Sequence, residues 1–143
     1  MRIIQTIALL LLLASCKNEN PVPVNHYKWS DKEDVGLLEL SIREKRFYGK
    51  YSIHYSKYST EEGEVSGEVI GDTLKGKFKY ITYGGRKELA PFVLLKKGNE
   101  YVVGKGLTYK LFHIPYFSNE SLTFNDQNLI LDPISDSEYQ NLK

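Results

Sequence analysis

Residues 64–80 read EVSGEVIGDTLKGKFKY, an alternation of period two that folds back on itself about Gly71-Asp72. Successive side chains of a strand point to opposite faces, so this pattern leaves one face apolar and the other charged. Gly71-Asp72 is a favoured two-residue hairpin turn, because glycine takes positive φ at little cost. Centring the turn there sets Val69 opposite Leu74 and Val65 opposite Phe78 on one face. The other face then pairs Glu68 with Lys75 and Glu64 with Lys79. Cross-strand pairing rewards both arrangements, by roughly 0.2–1 kcal/mol per pair. The same register puts Gly67 opposite Gly76. Two facing glycines clear a strip of the inner face. They mark a sharp bend, as at a barrel corner, or a place where an aromatic ring or ligand approaches the backbone. The charge alternation reads as a solvated face, since exposed ion pairs contribute little.

The same period recurs along the chain. In Gly36 to Arg43 (GLLELSIR), Leu38, Leu40 and Ile42 lie on one side and Glu39, Ser41 and Arg43 on the other. In Lys50 to Lys57, Tyr51, Ile53 and Tyr55 face inward; the short Glu44-Lys45-Arg46 link between the two segments predicts a hairpin. Gly84-Gly85 turns the chain into Arg86–Leu95, where Pro91 points to an edge or a bulge. Lys97-Gly98-Asn99 leads into Tyr101–Thr108, with Gly104 and Gly106 repeating the alternating glycines. Lys110–Phe117 is a strand or ordered loop around Pro115, and Leu122–Phe124 with Leu129–Leu131 flank the turn 125–128 as a last hairpin. Ser135 and Glu138 fit a capping box, so a short helix closes the chain. With 11 tyrosines and 11 glycines, and hardly any alanine after the first fifteen residues, the composition favours strands and turns. Eight or nine strands at regular spacing predict an all-β antiparallel meander, closed as a small lipocalin-like barrel or stacked as a sandwich.

The single cysteine, Cys16, follows the apolar run Ile3–Leu13 and the small residues Ala14 and Ser15, with Arg2 as the only earlier charge. A charged start, a short apolar segment and small residues before a cut describe a secretory signal. As a membrane span the run is too short, because about 20 apolar residues are needed. Leu13-Ala14-Ser15-Cys16 resembles the lipobox of bacterial lipoproteins, matched at every position. The resemblance implies cleavage between Ser15 and Cys16, a diacylglyceryl group on the Cys16 sulfur and acylation of the new amine. One acyl chain holds only marginally, whereas two or three make a durable anchor. Residues 1–15 are then the signal peptide, 16–25 the lipidated cysteine and tether, and 26–143 a single β-domain. The tether, with Pro21 and Pro23, is an extended spacer. Lys17 stands where some bacterial lipoproteins carry an inner-membrane retention aspartate, which favours the outer membrane. Lys17 with Glu19 also resembles a basic-then-acidic cell-surface signal, so the periplasmic face and the surface both stay open.

Losing the leader removes Arg2 and no acid, which leaves 18 basic against 18 acidic side chains. Such a neutral domain lacks the basic patch that nucleic-acid binding needs. His26, His54 and His113 have no second ligand at metal spacing, and no nucleophile-elbow or S-x-x-K motif is present, so neither metal nor other cofactor is expected. Residues 125–128 (NDQN) lack the spaced acids and central glycine of a calcium loop. Glu61, Glu62, Glu64 and Glu68 crowd one segment, and paired carboxylates are the means by which glycosidases work. The tyrosines carry more. Tyr48, Tyr51, Tyr55, Tyr58, Tyr80 and Tyr83 concentrate in the central strands, where Tyr51, Tyr55, Phe78 and Tyr80 are the candidate ligand-facing aromatics. The alternative is that Tyr51, Tyr55 and Tyr80 simply fill the core.

A lipid-anchored meander resembles the bacterial lipocalins, but their first-strand G-x-W is not matched: Trp29 follows Tyr27-Lys28, and Gly36 comes after it. A copper-stress lipoprotein family has a similar small barrel, but its C-x-x-C is absent. The hairpin Val65–Tyr80, built on Gly67, Gly71, Asp72 and Gly76, resembles one found in small uncharacterised lipoproteins of Gram-negative bacteria. These features predict a non-enzymatic envelope lipoprotein with a binding or accessory β-domain. Its partners are the membrane, through the acyl chains on Cys16, and an envelope protein, a glycan or a small apolar ligand. A lipocalin-like carrier is the alternative, requiring a hollow lined by Tyr51, Tyr55, Phe78 and Tyr80. A glycan hydrolase is the third.

Overall fold

The computed structural model describes residues 20–56 and 58–143; Ser15, Cys16 and the segments read as a leader and, as far as residue 19, as a tether lie outside them. Ten strands are present: β1 (Val24–Asp31), β2 (Asp34–Arg43), β3 (Arg46–Tyr55), β4 (Ser59–Ile70), β5 (Thr73–Ile81), β6 (Lys87–Lys97), β7 (Glu100–Val103), β8 (Thr108–Leu111), β9 (Ile114–Phe117) and β10 (Ile130–Ile134). A helix, α1 (Asp136–Leu142), follows β10. Eight of the strands close an antiparallel barrel in the order β1-β10-β7-β6-β5-β4-β3-β2, while β8 and β9 form a separate hairpin.

The registers read from the alternation are those observed. Val69 faces Leu74, Val65 faces Phe78, Glu68 faces Lys75 and Gly67 faces Gly76. At that last pair the close approach of an aromatic ring is observed. A Cβ on Gly67 would overlap the Lys75 carbonyl oxygen of the neighbouring strand and stand 2.7 Å from the Phe47 ring. The Phe47 ring fills the space the side chains vacate.

Other expectations need correction. The first strand is β1, all eight residues of which lie ahead of Gly36, the start of the first segment read as a strand, and Trp29 sits inside it. The proposed hairpin across residues 125–128 does not form. Thr123 makes an isolated bridge to Lys105, Gln127–Leu129 is a single 3₁₀ turn, and β10 pairs instead with β1 and β7 to close the barrel. Its apolar residues are held by strands remote in sequence, which a local pattern does not disclose. The strand expected over 101–108 ends at Val103, and the segment 110–117 splits into a hairpin about Phe112-His113. Pro91 does lie on an edge: β7 pairs with β6 only from Leu94 onward, so the N-terminal half of β6 has a ladder on one side alone.

One end of the barrel is closed by the two-residue turns at residues 44–45, 71–72 and 98–99. Leu40, Phe47, Leu74 and Leu94 fill this half, each no more than 1% exposed. Burying such a side chain stabilises the fold by roughly 1.5–3 kcal/mol. Outside the barrel, α1 begins at Ser135, whose Oγ accepts from the Glu138 N–H at 3.2 Å. Glu138 reaches Lys28 at 3.8 Å and Tyr139 stacks on His26 with centroids 4.1 Å apart. Tyr139 and Lys143 also lie beside Ser52. Leu37, which pairs with both Lys28 and Ser52, is buried although it faces outward, on the side of the barrel where α1 packs against β1.

Candidate ligand cavity at the barrel mouth

The other end of the barrel, at the β1–β2 turn and the loops after β3 and β5, is not filled. A cavity of about 420 Å³ opens there. Inward parity brings Trp29 from β1, Tyr51, Ile53 and Tyr55 from β3, Phe78 and Tyr80 from β5 and Phe92 from β6 to its wall. All four aromatics singled out from the sequence, Tyr51, Tyr55, Phe78 and Tyr80, line it. They do not serve alike. Tyr51 and Phe78 are buried, Tyr80 is half-buried and Tyr55 stands at the rim. Tyr48, Tyr58 and Tyr83 are exposed and outside it.

The floor is a packed aromatic cluster. Phe78 stacks on Tyr80 with centroids 4.6 Å apart and planes 10° from parallel. Tyr51 meets Phe78 edge-on at 5.2 Å and Phe92 at 5.3 Å. The Trp29 Nε1–H donates to Tyr51 Oη at 2.7 Å, which satisfies two buried polar groups with one bond. Trp29 lies flat against Gly36, where any Cβ would overlap the indole. Burial holds the Tyr51 phenol well above its ordinary range, opposed by the bond from Trp29, so the wall is neutral.

The rim is acidic. Asp31 closes the inward column of β1, Asp34 opens that of β2 and Glu61 lies on the inward parity of β4; all three line the cavity and are half-buried. Asp31 and Asp34 are direct partners in the ladder. Asp34 Oδ1 accepts from the Ser56 N–H at 2.9 Å, and Glu61 Oε2 accepts from Tyr55 Oη at 3.2 Å. Burial and then the charge of Glu61 push Tyr55 up to about 12. Burial, Glu61 and Glu88 raise Tyr80 in the same direction. Lys105 is the one cation at the wall among the described residues, and its Nζ is 2.6 Å from Asp126 Oδ2.

Of the four glutamates considered for catalysis, Glu61 alone faces this cavity; Glu62, Glu64 and Glu68 lie on the opposite parity, outside the barrel. The histidines stay apart from it. His26 is buried under α1 with Nδ1 2.8 Å from Asp136, His54 bonds to Thr60 at 3.1 Å, and His113 is at the tip of the β8–β9 hairpin. Among the described residues, no group of histidine, cysteine and carboxylate side chains is placed to hold a metal ion. Sequence reading missed Trp29, Asp31 and Asp34 as wall residues. The signal was there, since Tyr27, Trp29 and Asp31 alternate with Lys28 and Ser30.

A wider, more open depression on the outer wall is lined by His54 of β3, Thr60 of β4 and the exposed loop residues Tyr58 and Tyr83. Compared with known proteins, the chain matches no family model, no curated protein and no solved structure.

Proposed function

We propose that this chain is a lipid-anchored envelope lipoprotein of the outer membrane, and that its barrel is a non-enzymatic module binding a small, largely apolar ligand in the mouth cavity. The lipobox ending in Cys16 supports the anchor. The observation that carries the binding reading is the division of the barrel interior: packed in the closed half and hollow, with aromatic walls, at the mouth. A core residue needs no such hollow, and about 420 Å³ falls among the sizes of small-molecule sites, roughly 300–1,000 Å³. The carrier alternative asks for a cavity lined by Tyr51, Tyr55, Phe78 and Tyr80, and this geometry favours it over a filled module.

A second reading rests on the β8–β9 hairpin. Its outward face carries Tyr109, Leu111, Ile114 and Tyr116, all exposed, and Phe112 at its tip is 88% exposed. Such a face suits an accessory module that docks on an envelope protein. Native mass spectrometry of the mature protein, purified gently from an envelope extract, separates the two. A ligand-binding barrel shows an adduct of defined mass, lost in Ala90→Phe, which fills the cavity from β6. A clean apo mass across several extracts overturns the ligand reading and leaves the hairpin as the functional face.

A further inference from the structure

The cavity has an apolar wall and a rim of one charge sign, and that asymmetry constrains what enters. Asp31 and Asp34 are set directly opposite each other across the β1–β2 ladder, where like charges destabilise the pairing. A third carboxylate, Glu61, faces the same space from β4. Lys105 does not balance them, because it is already joined to Asp126. None of the three carboxylates has a cation within ion-pair distance among the described residues. Half-buried charges repel through a lower effective dielectric than water, so the cost is not screened away as it is on an open surface. The three acids do not make a metal-holding group among the described residues. The same cavity is lined by the rings of Trp29, Tyr55 and Tyr80, and aromatic faces attract organic cations.

We propose that the mouth cavity selects cationic amphiphiles: molecules with an apolar or aromatic body, seated against Trp29, Phe78 and Phe92, and a protonated amine or quaternary ammonium group held at Asp31, Asp34 and Glu61. This rests on the ligand-binding reading and adds the charge of the ligand to it. The cavity makes the site, and the carboxylates set which head group it takes. Tyr55 and Tyr80 are raised first by burial and then by the charge of Glu61, which faces the same space.

Trp29 is the only tryptophan and lies in the wall, so its fluorescence reports occupancy directly. The test uses the full chain as purified and three probes with one body and three heads: 4-phenylbutylamine, 4-phenylbutanol and 4-phenylbutyrate at neutral pH. The amine is expected to bind about tenfold tighter than the alcohol or better, with the carboxylate weakest of the three. Asp31→Asn combined with Glu61→Gln is expected to bring the amine down to the affinity of the alcohol. Equal binding of amine and alcohol, or tightest binding of the carboxylate, overturns the charge preference and leaves a ligand-binding cavity standing. Binding of none of the three, with a clean apo mass for the native protein, overturns both.

Discussion

At the scale of single residues, the bond between Trp29 and Tyr51 ties the first and third strands together inside the barrel. Its donor and acceptor are both buried, so neither has water to fall back on. Tyr51→Phe keeps the ring and its edge contact with Phe78 but removes the acceptor. An orphaned buried N–H costs about 1–3 kcal/mol, so the variant should lose that much stability in urea denaturation with an unchanged m-value. A loss well below this range would mean that the indole N–H finds another partner. The parity of β3 and β5 made Tyr51, Tyr55, Phe78 and Tyr80 legible as inward residues. What the sequence did not disclose is which of them pack and which border a hollow. That depends on Trp29, Phe92 and Ala90 from strands on other sides of the barrel, and on how far their side chains reach.

At the scale of elements, turns explain most of what was legible. Gly71 holds φ +58 as its position demands, and the whole β4–β5 register follows from it. The β8–β9 hairpin is the contrary case. Its two turn residues, Phe112 at φ +48 and His113 at φ +68, both occupy the left-handed region without being glycine. Nothing in a Phe-His pair announces a turn, so a strand or loop around Pro115 was the natural reading. Asn-Gly is the pair that such a two-residue turn prefers. Phe112→Asn with His113→Gly should therefore raise stability by about 1 kcal/mol in thermal or urea unfolding, because it relieves two unfavourable φ values. A fall in stability would instead show that Phe112 packs against something in the folded chain. β10 was misassigned for a different reason. Its partners, β1 and β7, are set by closure of the barrel, and no hairpin turn marks them locally.

At the scale of the whole molecule, the tyrosines knit the barrel to a common response to alkali. Tyr27 in β1, Tyr51 and Tyr55 in β3, Tyr80 in β5, Tyr101 in β7 and Tyr139 in α1 all have phenols raised from the ordinary value of 10.0, burial being the first cause in each. Tyr55 and Tyr101 are each pushed up to about 12. Such groups hold their protons in the fold at pH values where the unfolded chain gives them up. Their contribution to stability is therefore whole below pH 10.0 and is lost as pH rises towards about 12. Because these residues stand on five different elements all round one closed sheet, their ionisation cannot be met by fraying a single hairpin. Tyrosinate absorbance and far-ultraviolet circular dichroism, followed together on raising the pH, should show one coupled transition in which these phenols ionise as the β signal is lost. Ionisation of all eleven tyrosines by about pH 11 with the β signal intact would contradict this, and would mean that the barrel breathes widely enough to admit hydroxide to its core. Ligand bound at the mouth should move the loss of the β signal to higher pH, since it binds the fold and not the unfolded chain.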